Sequence, residues 1–153
     1  MVELLAVGSK APDFIVDSTS GTKVSLAYFA GKKVVLYFYP KDNTPGCTKE
    51  SCNFRDISVE IQKKGAVIVG VSRDSIASHQ KFKEKYHLNF DLLADTDSAL
   101  CRAYKVLVQK SMFGRKYEGI LRATYIIDEK GNVASAFPKV NPLTHAGQVL
   151  AAL

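Results

Sequence analysis

The sequence predicts an α/β domain: a central mixed β-sheet flanked by helices, entered through an N-terminal β-hairpin. Three observations carry that expectation. Residues 34–39 (VVLYFY) and 66–71 (AVIVGV) are continuous apolar runs rich in β-branched and aromatic side chains, the pattern of strands buried on both faces of a parallel sheet. Amphipathic segments follow each run, giving the β-α-β-α alternation of a layered α/β domain. Residues 124–128 and 133–137 then read as a hairpin across a Glu129-Lys130-Gly131-Asn132 turn, which adds antiparallel strands and makes the sheet mixed.

Taken in order, residues 1–12 are an entry segment punctuated by Gly8 and Pro12. Residues 14–17 and 22–26 are short strand-like runs, and Ser18-Thr19-Ser20-Gly21 is the turn between them. Residues 26–30 form one helical turn ended by Gly31. A strand over 33–39 stops at Pro40, and Asn43-Thr44-Pro45-Gly46 turns the chain into a helix over about 47–64, closed by Gly65. After the strand at 66–71, Asp74 or Ser75 caps a helix running to about Tyr86. Residues 90–94 are a short strand, and Asp95-Thr96-Asp97 caps a helix near 97–104. Residues 106–121 look irregular, with Gly114 and Gly119 interrupting them. Residues 143–153 are a closing helix. No repeat, low-complexity tract or linker divides the chain, so residues 1–153 are expected to form one domain.

The totals exclude several classes. An apolar content of 46% and a charged content of 24% are ordinary for a globular protein, so disorder is not expected. No apolar run approaches the ~18 residues of a membrane span. The start MVELLAVGSKAPDF is a poor signal peptide, so the expected location is cytoplasmic. The net charge of +6 (21 basic minus 15 acidic residues) comes from dispersed lysines, which favours a solvated surface over nucleic-acid binding. The spacing of Cys47 and Cys52 is C-x4-C, not the C-x2-C of zinc knuckles and thioredoxin-type dithiols, and no second ligand pair exists. No metal or other cofactor is expected.

Chemistry points to residues 38–54 (FYPKDNTPGCTKESCNF). Cys47 falls on the first turn of a helix directly off a central strand, facing unsatisfied backbone N–H groups and the positive end of the helix dipole. Such a place favours the thiolate, the reactive form of cysteine. The helix alone is not enough. Bringing a free thiol from ~8.5 down to ~6 takes roughly 3.4 kcal/mol. A helix N-terminus supplies ~0.3–1 kcal/mol, or ~2 in a partly buried geometry. A cation close in space is therefore required.

The segment YFYPKDNTPGCTKESCNFRD, with its P-x-x-x-T-x-x-C motif at Pro40, Thr44 and Cys47, resembles the peroxiredoxins of the bacterioferritin comigratory protein or Q type. Residues 8–14 (GSKAPDF), 113–122 (FGRKYEGILR) and 124–128 extend the resemblance over essentially the whole chain. It implies a thioredoxin-like fold. It also implies a thiol-dependent peroxidase that reduces hydrogen peroxide and organic hydroperoxides and is recycled by thioredoxin or a similar dithiol reductant. In such a protein Cys47 is the peroxidatic nucleophile and passes through a sulfenic acid. Arg122, at the position of the family's arginine, is the missing cation. Thr44 offers its hydroxyl to the peroxide, and Pro40 packs over the sulfur. Read alone, Arg122 is a surface arginine, Thr44 an ordinary turn residue and Pro40 a strand breaker.

Cys52 is the expected resolving cysteine, since the following helix carries none. In an intact helix five residues give a rise of ~7.5 Å and turn the two side chains ~140° apart. That is beyond the reach of a disulfide, so bonding to Cys47 requires the first turns of the helix to unwind. The bland alternative for Cys52 is a half-buried helix thiol. Cys101 is expected in the core, and His79 and His87 on the surface. An intramolecular disulfide needs no second subunit, so a monomer is expected. Two other functions fit parts of the sequence: a general disulfide oxidoreductase, which the C-x4-C spacing argues against, and a basic binding module, supported only by the charge.

Overall fold

The computed structural model describes residues 3–153. The first hairpin pairs β1 (Ile15–Ser18) with β2 (Lys23–Ser25), and a 3₁₀ turn at Leu26–Phe29 follows. Then come β3 (Lys33–Phe38), α1 (Pro45–Asp56), α2 (Ser58–Lys63), β4 (Ala66–Ser72), α3 (Ile76–Lys85), β5 (Asp91–Ala94) and α4 (Ala99–Ala103). The chain ends with β6 (Leu107–Met112), β7 (Arg115–Ile120), β8 (Ala123–Ile127), β9 (Val133–Phe137) and α5 (His145–Ala152). Seven strands make one sheet in the order β2-β1-β5-β4-β3-β8-β9. Strands β3, β4 and β5 run parallel, and antiparallel strands flank them on both sides, so the sheet is mixed as expected.

The apolar run of β3 explains the two-sided burial. Successive side chains of a strand point to opposite faces. Val34, Leu36 and Phe38 enter a core with Phe14, Leu93, Leu100, Cys101 and Tyr104. Val35, Tyr37 and Tyr39 enter a second core with Cys47, Phe54, Ile61, Phe82 and Val149, residues of α1, α2, α3 and α5. The ring of Tyr37 crosses Gly70 on β4, where a Cβ would stand 2.8 Å from it and 2.7 Å from Leu92. Glycine is the residue that leaves room there.

Three elements differ from the sequence-based expectation. The helix expected over 47–64 is two helices, broken at Ile57 (φ −111°, ψ 12°). Ile57, which is β-branched, and Ser58 are weak helix formers at that corner, and the break between the helices lets α2 lie back on β4. Residues 106–121, expected to be irregular, form the two-stranded β6–β7 ladder, with Leu107 opposite Ile120 and Met112 opposite Arg115. Its turn is Phe113-Gly114, both in the left-handed region (φ 52° and 77°), the backbone a tight hairpin needs. His79, expected on the surface, is fully buried. The caps are otherwise close to expectation: Ser75 accepts from the Ser78 N–H at 3.1 Å. Asp95 accepts from the N–H groups of Leu100 and Cys101 at the start of α4.

Candidate active site

The site is built where β3 hands over to α1. Pro40 ends the strand and is exposed. Asn43 takes a left-handed conformation (φ 57°), and Thr44 becomes the N-cap of α1 with Pro45 at the first helical position. Gly46 and Cys47 therefore hold the second and third helical positions, whose N–H groups have no intrahelical acceptor; the first intrahelical bond is Thr48 N–H to Thr44 O, at 2.8 Å. Thr44 does not cap the helix with its side chain. Its hydroxyl donates instead to the Lys41 carbonyl at 2.8 Å, at the rim of the site.

Cys47 is 1% exposed, with its sulfur turned into the second core. Arg122, in the two-residue link between β7 and β8, approaches from the facing side and donates through Nη2 to the Cys47 sulfur at 3.2 Å. Its other terminal nitrogen, Nη1, donates to Glu50 Oε1 at 2.8 Å. Glu50 lies one helical turn beyond Cys47 and is 1% exposed. Burial raises its pKa to about 7, and Arg122 holds it from rising further. Burial works against the Arg122 charge, but Cys47 and Glu50 outweigh it and keep the guanidinium firmly protonated. Glu50 Oε2 is buried without a partner among the described residues. Gly46 makes the approach of the arginine close: a Cβ there would stand 3.2 Å from Nη2.

The other expected site residues fall around this centre. Cys52 is half-buried on α1 and lines a surface hollow with Thr44, Thr48, Lys49 and Tyr86. It shares its helix with Cys47 but is not bonded to it, since all three cysteines are free thiols. Cys101 is fully buried in the core on the opposite face of the sheet, as expected, and burial pushes its thiol far above the ordinary range.

Sequence reasoning missed Glu50, although its i+3 spacing from Cys47 put it on the same helix face. It also missed the network that holds the loop before α1. His79 Nδ1 lies 2.7 Å from Asp42 Oδ2, and Nε2 lies 2.8 Å from the Leu93 carbonyl. A carbonyl can only accept, so Nε2 carries a proton and donates to Leu93, while Nδ1 shares a short hydrogen bond with the Asp42 carboxyl. Asp42 also accepts from Tyr39 (2.6 Å) and Ser78 (2.8 Å), and its N–H donates to Asp74 (2.9 Å). Asp42, Asp74 and His79 stand close enough for a metal ion. However, both Asp42 oxygens and both His79 nitrogens are already engaged by protein groups, and the cluster ties residues 40–44 to α3 and β5.

A buried thiol at a helix N-terminus, held by an arginine on a thioredoxin-like sheet, defines a thiol-based peroxidase. The chain belongs to the AhpC/TSA family, whose model matches residues 7–136. Among curated relatives, the bcp protein of Coxiella burnetii is 49% identical over 149 residues, covering 97% of this chain and 99% of that one. Peroxiredoxin Bcp of Bacillus subtilis is 44% identical over 149 residues, covering 97% and 95%. The solved structure of the Xanthomonas campestris bacterioferritin comigratory protein superposes with a TM-score of 0.90 at 42% identity, covering 96% of each chain. The protein is thus a peroxiredoxin of the Bcp or Q type, a thiol-dependent peroxidase. Among the described residues no helix is long and apolar enough to cross a membrane.

Proposed function

We propose that Cys47 is the peroxidatic cysteine and Cys52 the resolving one. The observation that carries this reading is the 3.2 Å contact from Arg122 to a buried Cys47 sulfur at the N-terminus of α1. The thiolate attacks one peroxide oxygen and the O–O bond breaks. The sulfur becomes a sulfenic acid, and the leaving oxygen departs as water or an alcohol after taking a proton. The N–H groups of Gly46 and Cys47 and the Arg122 guanidinium are the donors for the charge that develops on the oxygens. Thr44 joins them by rotating its hydroxyl away from the Lys41 carbonyl. Pro40, without an N–H, limits water at the loop. The Cys52 thiol then condenses with the sulfenic acid, releasing water and leaving a disulfide that a thioredoxin-like dithiol reduces by exchange.

The substrates on this reading are hydrogen peroxide and organic hydroperoxides. The Xanthomonas campestris relative, studied for alkyl peroxide reduction, supports the second class. Residues 1–153 act as one domain and as a monomer, because the disulfide closes within one chain. Three free thiols without a disulfide framework suit a reducing, cytoplasmic compartment. The test is peroxide consumption with a dithiol reductant, comparing wild type with Cys47→Ser and Cys101→Ser. Activity lost in the first and kept in the second is expected. Equal turnover in Cys47→Ser would overturn the reading.

A further inference from the structure

The two halves of α1 are held differently. Ser51 is fully buried, and its hydroxyl shares a hydrogen bond with the Tyr37 hydroxyl of β3 at 2.8 Å. The Asn53 amide donates to the Pro142 carbonyl at 3.1 Å and the Leu143 carbonyl at 3.5 Å, in the segment before α5. The buried Phe54 ring packs on Tyr37, with centroids 4.8 Å apart, and edge-on to His145. Arg55 donates to the Tyr86 carbonyl at 2.7 Å. Cys52 therefore stands between a residue fixed to the sheet and a residue fixed to the chain before α5.

The first turn is tied down less. Pro45 and Lys49 are exposed, Thr48 is half-buried, and no side chain caps the helix. Among the described residues, the side-chain hydrogen bonds that join residues 45–50 to the rest of the molecule run to Arg122, from the Cys47 sulfur and from Glu50. Oxidation adds an oxygen to a sulfur that is 1% exposed, so the Arg122 contact cannot persist unchanged in a packed interior. Beside this turn lies a surface hollow of about 420 Å³. Thr44, Pro45 and Thr48, the chain neighbours of Cys47, form one side of it, and Cys52 and Tyr86 also border it.

We propose that Ser51 and Asn53 are positioning residues for the resolving thiol: tied to Tyr37 and to the Pro142 carbonyl, they hold Cys52 as a fixed target. The Cys47 turn is then the part that travels, carrying the oxidised sulfur out of the core into the hollow beside Cys52. The inference rests on Cys47 and Cys52 as the reacting pair. In the closing step the S–S bond forms and the S–O bond of the sulfenic acid breaks. The oxygen leaves as water with the Cys52 proton. A partner held in one place is met more often in the reacting geometry than one on a mobile chain, so the two ties speed closure.

Amide hydrogen exchange of the reduced and the peroxide-oxidised wild type tests this without a variant. In helix geometry the N–H groups of Arg55 and Asp56 bond to the carbonyls of Ser51 and Cys52. They stay protected after oxidation, while Thr48, bonded to the Thr44 carbonyl in the reduced form, and Lys49 lose protection. The reverse pattern, with Thr48 and Lys49 protected and Arg55 and Asp56 exchanging freely, overturns the proposal. Rapid-quench mass analysis in a Cys101→Ser background then separates sulfenic acid formation from disulfide closure. Asn53→Leu and Ser51→Ala each slow closure by about 3- to 10-fold and leave the first step unchanged. Closure that is unchanged or faster in Asn53→Leu overturns the proposal, since the tie then only holds the helix shut. If the oxidised protein carries no Cys47–Cys52 linkage, the proposed cycle fails first and this inference falls with it. The linkage map and the exchange pattern keep the two failures distinct.

Discussion

Arg122 and Cys47 are 75 residues apart in the chain, yet the guanidinium donates to the sulfur at 3.2 Å. A positive charge at that distance from a buried sulfur has little water to screen it. Replacing Arg122 with Met is expected to lower the second-order rate with peroxide by about 10²- to 10³-fold, the usual loss of a donor aimed at transition-state charge. Stopped-flow oxidation of reduced protein checks this, with far-UV circular dichroism confirming the fold.

Gly46→Ala tests the same contact from the helix side. Alanine is the better helix former, so stability in urea is expected to hold or rise slightly. The new Cβ, 3.2 Å from Nη2, pushes the guanidinium away from the sulfur. Cys47 alkylation and peroxide reactivity therefore fall while stability does not.

Glu50 gives the protein a pH-dependent stability. Its pKa is raised from 4.5 to about 7, burial being the larger cause. The folded state thus prefers the protonated carboxyl. That stabilisation is complete below pH 4.5 and is lost as pH rises through 7. Over that window the wild type is expected to lose on the order of 3 kcal/mol relative to Glu50→Gln. Urea melts of both proteins at pH 4.5 and pH 8 read the difference directly.

His79 holds the loop that carries Pro40 and Thr44. His79→Leu leaves the buried Asp42 without its ring partner and is expected to cost about 1–3 kcal/mol in urea unfolding. The double variant Asp42→Asn/His79→Leu removes both partners and recovers part of the loss. A double variant less stable than His79→Leu would contradict a coupled pair at this position.

The strand–helix junction at Cys47 was legible because each signal was local: an apolar run, a proline, a turn and a cysteine on a first helical turn. The need for a cation was legible too, but the residue that meets it came only with the family resemblance, because 75 residues of chain separate Arg122 from Cys47. His79 was hidden for the opposite reason. Its helix is weakly patterned, and its partner Asp42 lies in a loop where an acid looks solvated. The β6–β7 hairpin escaped because residues 111–118 are exposed on both strands, so no apolar alternation marks them. The break at Ile57 joins two weak helix formers, which occur inside helices as well, to packing on β4, which periodicity does not encode.

On the proposed cycle Cys47 and Cys52, separate thiols on an intact α1, become bonded after oxidation. Peptide mapping of protein treated with one equivalent of hydrogen peroxide, with circular dichroism recorded before and after, is the decisive experiment. A Cys47–Cys52 linked peptide and a loss of helical signal that dithiothreitol reverses are expected. A Cys47–Cys101 linkage, or a Cys47–Cys52 linkage with no loss of helix, would contradict it.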